Sequence, residues 1–66
     1  MQLGMRSFRV YCSETDLDKN VRALDESDAL RQAGIDPTMA TVESADGHRV
    51  ILNVEGNAVV IYDSGY

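Results

Sequence analysis

The chain has 66 residues with a single Cys, and its eleven Asp and Glu against six Lys and Arg give a net charge of −5. A chain this short buries about 60% of the surface its unfolded form exposes, so a thin core is expected, and the lone Cys12 closes no disulfide to reinforce it. The negative balance disfavours direct contact with a phosphate backbone and favours a basic protein surface as partner, including one built to hold nucleic acid.

Along the chain, Ser7 to Cys12 (SFRVYC) alternates apolar and polar residues. This predicts a first strand with Phe8, Val10 and Cys12 on one face and Ser7, Arg9 and Tyr11 on the other. A polar loop, Ser13 to Lys19, leads to Asn20–Leu24, where Val21 and Ala23 point alike and form a second strand, the hairpin partner of the first. Asp25 suits the N-cap of a helix over Glu26 to Ala33, with Glu26 and Asp28 in its positively polarised first turn. Gly34 suits the left-handed position after it, and Ile35 folds back onto Leu30 in a Schellman motif. The stripe Ala29, Leu30, Ala33 must dock on the sheet, because so short a helix does not persist alone. Asp36 and Pro37 then turn the chain.

The last third reads as a meander. Met39 to Ser44 is strand three, Asp46 and Gly47 a two-residue hairpin turn, Arg49 to Glu55 strand four, Gly56 and Asn57 a second turn, and Ala58 to Asp63 strand five. The order β-β-α-β-β-β predicts one α+β domain over residues 1–66, an antiparallel sheet of about five short strands with one short helix packed on one face. Strand four presents Val50, Leu52 and Val54 on one side and Ile51 on the other, and strand five reads Val59, Val60, Ile61, Tyr62 without polar alternation. One helix covers one face, so part of Ile51, Val59, Ile61, Tyr62 or Tyr66 is expected to face solvent or a partner.

No nucleophile elbow, Gly-rich phosphate loop or metal-ligand Cys/His spacing is present, so no catalytic, cofactor-binding or metal-binding residue is assigned. His48 follows the Asp46–Gly47 turn on an exposed tip, and Cys12 shares the face of Phe8 and Val10, where a thiol acts as a small buried hydrophobe. The run Asp16-Leu-Asp18-Lys-Asn20 opens like a calcium loop but has Val21 where the loop needs Gly and Ser27 where it needs Glu. No stretch resembles a signal peptide at Met1–Arg6 or reaches the roughly 18 apolar residues of a membrane span. With one cysteine, a cytoplasmic location and no membrane partner are expected.

Six of the eleven acids fall within fifteen residues: Glu14, Asp16, Asp18, Asp25, Glu26 and Asp28, opposed there only by Lys19 and Arg22. If the loop is extended, Glu14, Asp16 and Asp18 lie about 6.6 Å apart on one side. That spacing resembles successive phosphates of one nucleic-acid strand and suits a Lys/Arg groove that receives DNA. Asp25 and its neighbours also have a structural role as cap and dipole partners.

The size, the strand and helix order, the stretch Val21-Arg-Ala-Leu-Asp-Glu-Ser-Asp-Ala-Leu running from a strand into a capped helix, and the paired turns Asp46-Gly47 and Gly56-Asn57 together resemble the small phage-encoded anti-CRISPR proteins that disable type I Cascade complexes. The resemblance is architectural and transfers no functional residue. It implies a stoichiometric, non-enzymatic inhibitor that occupies a DNA-binding surface of Cascade in the host cytoplasm, acting as a DNA mimic. The six acids named above and Tyr62 are the expected partner-binding residues. The alternative is a homo-oligomeric accessory module, such as a homodimer, with strand five at the subunit interface.

Overall fold

The computed structural model describes residues 4–63. The elements are β1 (Arg6–Cys12), β2 (Leu17–Ala23), α1 (Glu26–Gln32), a 3-10 turn (Pro37–Met39), β3 (Ala40–Asp46), β4 (Arg49–Val54) and β5 (Asn57–Asp63). They form a five-stranded sheet in the order β2-β1-β5-β4-β3, with every neighbouring pair antiparallel. The α+β class, the five antiparallel strands and the single helix are those expected. Among the described residues no helix is long and apolar enough to cross a membrane. Tyr66 and the first three residues of Met1–Arg6 lie outside the described residues.

The sheet joins a hairpin to a meander. β5 runs between β4 and β1, placing Val10 opposite Ile61 and Tyr11 opposite Val60. Because residues paired across neighbouring strands share a face, the register separates the two sides of the sheet. Phe8, Val10, Cys12, Ala23, Leu52, Val59 and Ile61 lie on the helix side and are buried with Ala29 and Leu30 of α1. Arg9, Tyr11, Ile51, Val60 and Tyr62 lie on the opposite side, which no helix among the described residues covers.

α1 is held at both ends by local chemistry. The Asp28 N–H donates to Asp25 Oδ1 at 2.9 Å, and the Leu24 N–H donates back to Asp28 Oδ2 at 3.1 Å, so two carboxylates satisfy amide donors at the N-terminus. At the other end Gly34 has φ 86, the Gly34 N–H donates to the Arg31 carbonyl and the Ile35 N–H to the Leu30 carbonyl at 2.9 Å. That is the expected Schellman closure, and Ile35 packs on the core. The helix ends one residue earlier than predicted, with Ala33 as its C-cap. Gln32 Nε2 donates to the Arg22 carbonyl at 2.6 Å, fixing α1 over β2.

Strand boundaries shift by one to three residues from the sequence expectation, most of all at β2 and β3. β2 begins at Leu17 and not at Asn20, because Leu17 pairs opposite Cys12 and packs on the core, so the loop shrinks to the turn Ser13–Asp16, with Asp16 at φ 57. β3 begins at Ala40 and not at Met39, because Asp36 caps a 3-10 turn: Thr38 donates to Asp36 Oδ1 from both its N–H (3.0 Å) and its hydroxyl (2.8 Å). A bulge between Val42 and Ser44 adds one residue to β3 and returns Ala45 to the side of Val42. Both hairpin turns are also displaced by one residue. Gly47 and His48 form the first, with φ 59 at Gly47 alone, a pattern of the II′ type, while Glu55 (φ 53) and Gly56 (φ 88) form the second, with the two positive values of a I′ turn.

Candidate functional site

Among the described residues, two surfaces gather several open apolar groups, and the first is the helix-free face. Arg9, Tyr62 and Arg49 lie in one row across β1, β5 and β4, and Tyr11, Val60 and Ile51 lie in the next. Tyr62 is 40% exposed and Tyr11 36%, while Val60 and Ile51 are half-buried between them. Arg9 organises the cluster. Its Nε donates to Asp18 Oδ1 at 2.8 Å and its Nη2 to Asp18 Oδ2 at 2.7 Å, a bidentate pair across the β1–β2 rungs. The same guanidinium lies 5.5 Å from the Tyr11 ring centroid and 6.0 Å from that of Tyr62. The hydrogen bond to Arg9 and then its charge hold the Asp18 carboxyl below its usual range, while Asp18 in turn raises Arg9. The pair is about half exposed at the surface, so it orients the two rings without contributing much to stability.

The second open surface lies on the helix side, beyond the helix. α1 packs over β2 and β1, leaving the β3–β4 end of that face without cover. A groove of about 480 Å³ runs there between the start of α1 and the β3–β4 hairpin, walled by Leu30, Pro37, Ala40, Val42, Val50 and Leu52 with Glu26 at its end. Val42 is 61% exposed and Met39, three residues before it, 50%.

The predicted partner-binding acids are not gathered into one patch. Glu14 and Asp16 sit in the Ser13–Asp16 turn at one end of β2, and Asp25, Glu26 and Asp28 stand past its other end. Seven strand residues separate the two groups, which amounts to about 20 Å. The extended row Glu14, Asp16, Asp18 does not form, because the chain turns through Asp16 and Asp18 already belongs to β2. Glu14 accepts the Ala58 N–H at 2.9 Å, tying the turn to β5, Asp18 is matched by Arg9, and Asp25 and Asp28 cap the helix. Asp16 is exposed and Glu26 half-buried at the groove end. Tyr62 stands where it was expected, on the exposed face, whereas Val59 and Ile61 are in the core. Tyr11 and Arg9 join Tyr62 in this cluster. Their signal was the alternation of strand one, which put both on the face away from Phe8.

Cys12 is buried in the core and His48 exposed on the β3–β4 turn, at opposite ends of the sheet. Among the described residues no three His, Cys, Asp or Glu side chains come together as metal ligands, and the Asp18 of the calcium-like run is occupied by Arg9. No protein-family model matches the chain, and no curated protein or solved structure matches it at a significant level.

Proposed function

We propose that this chain is a non-catalytic binding protein that inhibits a nucleic-acid-handling complex, docking through the helix-free face of its sheet. The observation that carries the reading is the cluster of Tyr11, Tyr62, Val60 and Ile51 around Arg9 on a face without a covering layer. Tyr supplies contact area with few torsions to freeze, and Arg9 adds a guanidinium already held in place by Asp18; Tyr and Arg are the composition of interface centres. The partner class is a basic protein surface, supported by the net charge of −5. The type I Cascade complex is the specific partner proposed, on the architectural resemblance. In this reading the acids steer the approach from both ends of β2 and do not imitate consecutive phosphates, because Glu14, Asp16 and Asp18 form no extended row.

The test is binding of a target duplex by purified type I Cascade, titrated with the chain and read by gel shift. The reading expects DNA binding to disappear at a fixed stoichiometric ratio, and the double substitution Tyr11→Ala, Tyr62→Ala to weaken inhibition by at least about tenfold. Replacing Asp16 and Glu26 by Lys should slow association most at low salt. Unimpaired DNA binding under a large excess of the folded chain rejects Cascade as the partner.

The homo-oligomeric alternative is narrowed by the position of β5, whose two edges are already paired to β1 and β4. A subunit contact there would have to use the face of Val60 and Tyr62, and sedimentation at high micromolar concentration distinguishes it.

A further inference from the structure

We propose that the outer edge of β3 is a strand-addition site for an extended, basic segment of a partner protein, whose apolar side chains seat in the groove between α1 and the β3–β4 hairpin. The inference rests on the reading of the chain as a binder of basic protein surfaces, and it assigns a second contact to that partner.

β3 closes one side of the sheet, so one row of its backbone donors and acceptors has no strand beside it. The phase of the ladder says which. The Asp63 N–H donates to the His48 carbonyl at 2.7 Å, which makes Asp63 and His48 a hydrogen-bonded pair. Alternation along β4 and β5 then directs the backbone groups of Val50, Leu52 and Val54 toward β5 and those of Ile51 and Asn53 toward β3. Asn53 pairs with Thr41, so the backbone groups of Ala40 and Val42 turn away from β4; the Ala40 N–H closes the 3-10 turn on the Pro37 carbonyl, which leaves the Ala40 carbonyl and both groups of Val42 open along the edge. These same two residues have their side chains on the helix side, at the wall of the groove. A strand added here would hydrogen-bond to the Ala40 carbonyl and to the N–H and carbonyl of Val42, and its residues directly opposite them would project over the groove beside Val42 and Pro37. Backbone bonds with pockets for alternate side chains are the components of recognition by strand addition.

The occupant follows from charge. β3 reads Ala-Thr-Val-Glu-Ser-Ala-Asp, and neither it nor the groove wall contains Lys or Arg, while Glu26, Glu43 and Asp46 border them. A second copy pairing edge to edge would bring four carboxylates, Glu43 and Asp46 of each chain, to a seam with no Lys or Arg of β3 to offset them, at a cost in like-charge repulsion. A segment alternating apolar residues with Lys or Arg places the apolar ones over the groove and its cations near these carboxylates. The opposite edge, β2, is guarded differently: it carries Asp18, Lys19 and Arg22, and α1 is clamped over it through Gln32.

The experiment uses two heptapeptides, one alternating Val with Lys and one alternating Val with Glu, titrated into the isotopically labelled chain and followed by amide NMR. The Val/Lys peptide is expected to bind at least tenfold more tightly than Val/Glu, to lose affinity as salt is raised, to shift the Ala40 and Val42 amides and to protect that of Val42. Val42→Pro, which deletes an outward N–H, should abolish binding. Glu43→Lys, which leaves every backbone group in place, should reverse the preference between the peptides even if the proline variant does not fold. Equal binding of both peptides, shifts confined to Tyr11 and Tyr62, or a β3-paired dimer of the chain that excludes peptide would each overturn the proposal. Cascade is absent from this assay: peptide capture without inhibition of Cascade would reject the function and keep the strand-addition site, and inhibition without peptide capture would do the reverse.

Discussion

Ile61 and Tyr62 are neighbours in β5 that face opposite sides of the sheet, and replacing each by Ala tests the separation of faces on which the functional reading depends. Ile61 is 1% exposed and sits in the core opposite Val10 and Val50. Truncating such a side chain costs about 2–5 kcal/mol, from lost transfer energy and the cavity left behind. A 66-residue domain holds about 3–10 kcal/mol in total, so Ile61→Ala should remove about half of the stability at the middle of both ranges. Tyr62 is 40% exposed, and its specific partner is the Arg9 guanidinium 6.0 Å away. An exposed cation–π contact contributes about 0.5–1 kcal/mol, so Tyr62→Ala should cost about 1 kcal/mol. Urea unfolding followed by circular dichroism measures both, with an unchanged m-value confirming that only stability moved. If Tyr62→Ala costs as much as Ile61→Ala, the Tyr62 face is covered and does not serve as a docking surface. If their order is inverted, β5 is out of register by one residue and every face assignment fails.

Other expectations concern the turns and caps. Glu55 holds φ 53 at the first position of a two-residue turn before Gly56, a conformation Asn adopts more readily. Glu55→Asn should raise stability by about 0.5–1 kcal/mol in the same urea assay, and Glu55→Gln, with equal charge and no such tolerance, should not. Asp25→Ala removes the acceptor of the Asp28 N–H and should cost about 1 kcal/mol, with Asp25→Ser recovering most of it. Asp36 is held below its usual carboxyl range by the Thr38 hydroxyl and then the Thr38 N–H, and Asp18 by Arg9. Carboxyls depressed in the folded state add stability above their ordinary value of about 4, and that contribution is lost as pH falls through it and below. The urea midpoint should therefore drop on acidification below about pH 4, and Asp36→Asn should flatten that dependence.

Where local chemistry decides conformation, the residues were enough. Asp25 and Gly34 mark the helix ends because an N-cap carboxylate and a left-handed C′ position have few alternatives, and the alternation of Ser7–Cys12 separates the two faces of β1 correctly. The misplacements arise where a tertiary contact outweighs local polarity. Leu17 looks like a loop residue between Asp16 and Asp18, yet it pairs opposite Cys12 and pulls β2 three residues toward the N-terminus. The same contact dissolves the row of carboxylates that an extended loop would have made. Glu55 carries no sequence mark of its left-handed backbone, so the Gly56 turn was placed one residue late. The pairing of β5 with β1 joins residues some fifty positions apart, and no local pattern encodes it. Without it the Arg9, Tyr11 and Tyr62 cluster is invisible, since β1 and β5 contribute different members.

The open surfaces follow from dimensions. Five strands about 4.8 Å apart span roughly 19 Å between the outer strand axes, and seven residues of strand run about 20 Å. A seven-residue helix is about 10 Å long and 10–12 Å across with its side chains. It therefore covers about a quarter of one face and none of the other, whichever residues it carries. Apolar side chains left on such surfaces promote self-association unless charge keeps the copies apart. A net charge of −5 on so small a body has that effect between identical copies and the opposite effect toward a basic partner. The acidity and the uncovered Tyr and Val side chains are thus linked: the charge opposes self-association through those groups, and under the proposed binding role it would favour a basic surface over an acidic one.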